Sequence, residues 1–241
     1  MSNNIIITID GPAGVGKSTV ARAIARRLGA VFLDTGAMYR AVTLAAVERG
    51  IAPADTEKVR GLFEVCRFEF RPEAEQMRVC IDGQDKTAEI RDPKITEQVK
   101  YIASAGPLRE KLVQMQRDFA AGCERIVTEG RDQGTVAFPN AAVKFFLTAD
   151  PRQRAMRRHL ELTAAGKTIT LEEVLRQQQV RDASDENREV GPLKPAQDSI
   201  MIDTTTLTGD QVVNRMEQIA RKIIDGREDC IERQPLQKRM A

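Results

Sequence analysis

The sequence predicts an α/β fold: a central parallel sheet of five strands flanked by helices, with a small antiparallel insert and a helical segment late in the chain. Short apolar runs alternate with stretches of helical periodicity, the order that winds a parallel sheet. The rhythm breaks once, over residues 63–92, where near-alternating apolar and polar positions surround an Asp-Gly turn signal. The first strand also ends in a glycine-rich turn that opens directly into a helix.

Residues 5–10 form a short apolar run stopping at Gly11-Pro12, as a buried strand entering a turn does. Over 18–28, Val20, Ala21, Ile24, Ala25 and Leu28 fall at helical spacing, and Gly29 supplies the C-terminal cap. Residues 31–33 read as a second strand and 35–49 as a second helix, closed by Gly50. Strands are expected at 67–70 and 77–82, with Asp82-Gly83 as a turn dipeptide. Asp92-Pro93 breaks the chain before a helix over 95–104. A helix at 107–121 and strands at 125–129 and 143–147 resume the α/β order. A basic helix at 151–162, a turn at 164–167 and a charged helix at 171–189 follow. A strand at 199–203 and a helix capped by Thr208 and running to about 225 complete the fold. The polar residues 226–241 are expected to be a loosely held tail.

With 241 residues, 41% hydrophobic and 30% charged, the chain has material for one large domain with a proper core. No apolar run approaches a membrane span, and residues 5–9 lack the flanks of a signal peptide, so no membrane partner is expected. Cys66, Cys80, Cys123 and Cys230 lie far apart, which predicts free thiols packed as small hydrophobes in a reducing cytoplasm. The single histidine, His159, sits on the basic helix as a surface residue and weighs against histidine metal sites and Ser-His-Asp chemistry. A net charge of only +2, with 4% aromatics and no tryptophan, argues against a nucleic-acid partner.

The stretch Gly11-Pro12-Ala13-Gly14-Val15-Gly16-Lys17-Ser18 fits G-x-x-x-x-G-K-[ST], and Thr19 follows it. Its small residues let successive backbone N–H groups converge on phosphate oxygens, aided by the positive end of the following helix. Lys17 then reaches the β and γ phosphates of a nucleoside triphosphate, and Ser18 coordinates Mg²⁺. The strand-then-helix context supports this over a tight turn with no ligand. No Asn-Lys-x-Asp guanine reader is present, which weighs against a GTPase, and no large-ATPase signature is seen.

Arginines sit beside predicted element ends. Arg40 lies six residues beyond Asp34, and Arg131-Asp132 follows a strand end, where open α/β sheets bind ligands. Arg152, Arg154, Arg157 and Arg158 share one helix, and Arg181, Asp185 and Arg188 stack on one face at spacings of four and three. Taken alone, the Arg181–Asp185 pair serves helix support as readily as function, and Arg152–Arg158 suits a solvated face. Beside a phosphate loop, the set suits phosphoryl transfer between two charged substrates.

Residues 7–19 (ITIDGPAGVGKST), 33–40 (LDTGAMYR), 129–136 (EGRDQGTV), 181–188 (RDASDENR) and 203–207 (DTTTL) resemble the bacterial cytidylate kinase family, in order and over residues 5 to about 224. The resemblance implies the P-loop nucleoside monophosphate kinase fold. Its core would comprise 1–62, 93–150 and 190–225, with a CMP-binding insert at 63–92, a lid at 151–189 and a tail at 226–241. It implies transfer of the γ-phosphoryl of Mg-ATP to CMP, and to dCMP, by a monomeric cytoplasmic enzyme. Gly11 to Thr19 would bind ATP. Arg40 and Arg131 would hold the CMP phosphate, Arg109, Asp132 and Arg188 would read cytosine, and Arg181 and Asp185 would contact the ribose. Thr35 would lie beside CMP, and Arg154, Arg157 and Arg158 would join Lys17 and Arg131 in neutralising the transferring phosphate. The family's base-contacting serine is replaced by Lys100, with Ser104 one turn on, so either Ser104 substitutes or cytosine selectivity loosens.

Two other classes fit parts of the sequence. A P-loop switch protein would bind ATP and transfer nothing, and a nucleic-acid module would bind DNA or RNA with strong salt dependence. An acceptor requirement separates the first from a kinase, and the charge balance disfavours the second.

Overall fold

The computed structural model describes residues 4–73 and 76–232, without the side chains of 227–232. Five strands, β1 (Ile5–Asp10), β2 (Val31–Asp34), β6 (Arg125–Gly130), β7 (Val143–Thr148) and β8 (Ile200–Asp203), form the main sheet in the order β2-β6-β1-β7-β8. Every pairing in it is parallel, with Asp10 level with Gly130 and Asp34 level with Glu129 at the carboxyl ends. The expected five-stranded parallel sheet is therefore present.

A parallel sheet must be covered on both faces, and alternation in each strand divides its side chains between two cores. In β6, Ile126 joins one core and Val127 the other. The first core gathers Leu33, Met38, Leu44, Ile102, Leu108 and Leu112 from β2, α2 (Thr35–Glu48), α4 (Pro93–Ser104) and α5 (Gly106–Ala121). The second gathers Ile7, Ile9, Ile24, Phe145, Leu147 and Met216, with α1 (Lys17–Arg27) and α8 (Gly209–Glu232) on the opposite face.

The insert forms a three-stranded antiparallel sheet, β3 (Phe68–Pro72), β4 (Met77–Ile81) and β5 (Gln84–Asp85). Asp82 and Gly83 link β4 to β5 as a two-residue turn with φ of 51° and 79°, the left-handed pair that matches strand twist. A 3₁₀ turn, Glu89–Arg91, returns the chain to α4. Late in the chain, α6 (Pro151–Ala164) packs against α7 (Leu171–Glu186).

Several elements differ from expectation. The helix expected over 171–189 stops at Glu186, so Arg188 lies beyond its end. A helix over α3 (Thr56–Val65), N-capped by Asp55 accepting from Lys58 N, occupies a stretch that had no predicted element. And the last helix does not stop near 225: α8 runs on through Gly226 to Glu232, so residues 226–232 are helical rather than a loose tail. The rest of the expected tail, 233–241, lies outside the described residues. Thr208 does cap α8: its hydroxyl accepts from Gln211 N while the Gln211 side chain accepts from Thr208 N. Cys66 and Cys80 are buried and free; Cys123 and His159 are half-buried, not fully inside or at the surface. Among the described residues no helix is long and apolar enough to cross a membrane.

Gly11, where β1 turns into the phosphate loop, has φ +149°, and a Cβ there would lie 2.3 Å from the Leu147 carbonyl oxygen. Gly11→Ala must displace the backbone of β7, so it should cost about 1–3 kcal/mol of stability, read by denaturant unfolding. An unchanged unfolding midpoint would contradict this packing.

Candidate active site

The loop Gly11–Ser18 leaves the carboxyl end of β1, between β6 and β7, where a parallel sheet opens a crevice. The helices α2, α3, α4, α6 and α7 are N-capped by Asp34, Asp55, Asp92, Asp150 and Thr170. In contrast α1 starts from Gly16, at φ 90°, with no side-chain acceptor. Its first-turn amides and positive dipole end are left to an anion.

Lys17 is buried and donates to the Pro12 carbonyl at 2.7 Å, which holds its ammonium inside the loop. Burial pushes its pKa down to about 7; Arg131 and Arg181 push the same way, against Glu129 and Asp10. The folded state thus binds fewer protons on Lys17 than the unfolded chain, whose pKa is near the ordinary 10.5. The stability cost is full below about pH 7 and is relieved as pH rises from there toward the unfolded value. Without nucleotide, Lys17→Met should therefore melt above the wild type at pH 6.5, with the difference shrinking toward pH 9. A difference that grows with pH would contradict the assignment.

Ser18 Oγ donates to Glu129 Oε1 at 2.9 Å. A hydroxyl and a carboxylate side by side at a phosphate loop are hard oxygen donors of the kind Mg²⁺ takes alongside nucleotide phosphates. Thr35 Oγ1 donates to the Glu129 carbonyl at 2.7 Å, so the end of β6 touches both the phosphate loop and the start of α2.

The residues expected to hold an acceptor converge beside this loop. Arg109 and Asp132 form an ion pair buried on both sides, with the guanidinium 5.9 Å from the ring centre of Tyr39. Burial pushes the Tyr39 phenol up to about 12. Arg131 Nε donates to Asp185 Oδ2 at 2.6 Å, and Arg188 lies 3.5 Å from the other oxygen of that carboxylate. Burial would raise the pKa of Asp185, but Arg131, Arg188 and Arg181 outweigh it and hold the carboxyl below its usual range. Arg40 makes only long contacts, 3.3 and 3.4 Å, to Asp34, which also caps α2 through Ala37 N. Arg91, from the 3₁₀ turn of the insert, reaches the same carboxylate at 3.7 Å.

The expected lid residues behave differently from one another. Arg154 is buried and donates to the Ala13 carbonyl at 2.9 Å and to Asp182 at 2.6 Å, tying α6 and α7 to the phosphate loop. Gln178 adds a bond to the Arg154 carbonyl at 3.3 Å. Arg157 instead donates to the carbonyls of Thr204 and Thr205, beyond β8, and Arg158 is exposed against Glu161. Neither joins the Lys17 cluster. Lys100 is exposed with its ammonium 5.1 Å from the Tyr101 ring centre, and Ser104 donates to the Tyr101 carbonyl.

The site thus sets an uncapped phosphate loop beside a second cluster of guanidinium and carboxylate groups, at one edge of one sheet. The family model for cytidylate kinase matches residues 7–222. The cytidylate kinase of Rhodopirellula baltica is 43% identical over 220 residues, 91% of this chain and 94% of that protein. Those of Geobacter sp. (44%, covering 91% and 94%) and Desulfitobacterium hafniense (45%, covering 90% and 92%) are similarly close. The chain belongs to the cytidylate kinase family.

Several residues of the cluster escaped sequence reasoning. Asp10, Tyr39 and Glu129 lie inside motifs that mark the family, so their sequence neighbourhood was a signal even though their contacts were not. Asp182 adjoins Arg181, yet its partner is Arg154, 28 residues away. Arg91 had no signal beyond its charge.

Proposed function

We infer that the protein transfers the γ-phosphoryl group of ATP to CMP, giving ADP and CDP. The observation that carries this reading is the meeting of Lys17 and Ser18 with Arg131, Arg109 and Asp132 across the ends of two adjacent strands. A phosphate loop alone would bind a nucleotide. A second, separately anchored set of guanidinium groups, with a carboxylate among them, provides for an anionic acceptor that carries an amino group.

The chemistry asks for positioning and charge neutralisation, because the attacking oxygen of a nucleoside monophosphate is already an anion. Lys17 and the first-turn amides of α1 would hold the β and γ phosphates of ATP. Arg131, with Arg40, would orient the acceptor phosphate toward them; the planar guanidinium fork engages two phosphate oxygens at once. Asp132, fixed by Arg109, would accept from the cytosine amino group, where uracil presents a carbonyl and is repelled. Arg188 would complete base reading, and Arg181 and Asp185 would take the ribose. Ser18 and Glu129 are the groups that would hold Mg²⁺, which when bound neutralises phosphate charge.

Thr35 would sit at the acceptor phosphate, and the insert sheet would close over CMP. The α6–α7 pair would close over ATP, with Arg154 already on the loop and Arg157 and Arg158 arriving on closure, so that water is excluded. The reading extends to dCMP as a second acceptor and to a monomer working in the cytoplasm.

ADP release measured with CMP, dCMP, UMP and AMP in turn tests the acceptor. The expected result is ADP formation that requires CMP or dCMP and is at least tenfold less efficient with UMP. ADP formation independent of any acceptor would favour a nucleotide switch and overturn the kinase reading.

A further inference from the structure

Asp10 is the last residue of β1, only 4% exposed, and no step above uses it. Its carboxylate is bidentate: Oδ1 accepts from Gln133 N at 2.9 Å and Oδ2 from Gly134 N at 2.7 Å. Those amides open a single π-helical turn, Gln133–Ala137, which follows Arg131 and Asp132 without a spacer. Such turns break the regular helical bonding pattern, so an outside acceptor must take the amides that the turn itself leaves over.

The surroundings give this contact little freedom. On one side, Gly11 follows Asp10 and is locked against Leu147, so the carboxylate and the phosphate loop move together. On the other, a Cβ on Gly134 would lie 2.9 Å from Thr8 Oγ1 and 3.4 Å from Asp10 Oδ2, so only glycine allows the turn to approach β1 this closely. The Gln133 side chain is pinned as well, accepting from Thr128 Oγ1 at 3.0 Å and donating to Gln116 Oε1 at 3.2 Å. Asp10 is thus the bond between the donor loop, one residue ahead of it, and the acceptor-reading pair, one residue before the turn.

We propose that Asp10 is a positioning residue that sets Arg131 and Asp132 relative to the phosphate loop, and so fixes where the acceptor nucleotide sits against the γ-phosphate. Burying a carboxylate to hold two backbone amides is costly: burial raises its pKa to about 6, with Asp132 adding to the rise and Gln133, Gly134 and Lys17 opposing it. The bidentate geometry is what repays that cost, and a neutral isostere cannot supply it. Asparagine offers one acceptor oxygen and an NH₂ that confronts the remaining N–H.

The proposal rests on the CMP kinase reading, and its test keeps the two apart. Steady-state kinetics of Asp10→Asn should show KM for CMP raised tenfold or more, while the Kd for ATP, from titration calorimetry, changes less than threefold. Gln133→Ala keeps both backbone donors to Asp10 but removes one support of the turn; it should lower Tm while moving KM for CMP less than threefold, well short of Asp10→Asn. Equal losses in ATP and CMP binding by Asp10→Asn, or a CMP effect in Gln133→Ala as large, would assign Asp10 to general stability and overturn the proposal. Should Asp10→Asn fail to fold, amide exchange in the wild type decides: Gln133 and Gly134 should rank among the slowest-exchanging amides. Fast exchange at both would overturn the positioning role. A wild type that makes no CDP from CMP would instead defeat the kinase reading itself.

Discussion

Lys17→Met should lower kcat/KM for CMP phosphorylation about a thousandfold, the scale at which one preorganised positive group acts on a developing phosphate charge. The geometry demands a large effect because the ammonium is buried and held on the Pro12 carbonyl, already inside the loop before any phosphate arrives. Burial lowers its pKa, so the loop is an unfavourable place for that charge, and a bound phosphate would relieve that electrostatic cost. The same substitution should raise thermal stability near neutral pH. Loss of activity with gain of stability separates a functional lysine from a structural one. A variant that lost both would place Lys17 in the fold rather than the reaction.

The second large effect is on stability. Asp132→Ala leaves the Arg109 guanidinium buried without its carboxylate, which should cost about 3–5 kcal/mol. For a chain of 241 residues this is a fall in Tm of roughly 10 °C. Replacing both partners with apolar residues of similar size, as in Arg109→Met with Asp132→Leu, removes the unpaired charge and should recover most of that loss. The double variant should still discriminate poorly between CMP and UMP, because the carboxylate we propose to accept from the cytosine amino group is gone. A double variant as unstable as Asp132→Ala would contradict the buried-pair account, and one that kept CMP selectivity would contradict the base-reading role.

What the sequence made legible followed from how local each signal is. The phosphate loop is written in eight consecutive residues, and its helix and strand neighbours are short and periodic, so their placement was readable to within a residue or two. The helix α3 was not, because only Val59 and Leu62 of its ten residues are buried and Gly61 interrupts its centre. Gly226 looked like a stop signal, but α8 passes through it. Spacing predicts Arg181, Asp185 and Arg188 on one helical face, yet α7 ends before Arg188, and Asp185 bonds to Arg131, 54 residues away. Arg109–Asp132, Arg154–Asp182 and Asp10–Gly134 likewise join segments far apart in the chain. Charge type was visible; partners were set by which strands lie side by side, and β6 enters next to β1 only after the insert has intervened.

The most direct test of the account follows the phosphoryl group itself. With ATP labelled at the γ position, Mg²⁺ and CMP, the protein should place the label in CDP, in step with ADP formation and with no inorganic phosphate beyond the background. Label recovered as inorganic phosphate, with CMP unchanged, would show that the group passes to water and would contradict the account.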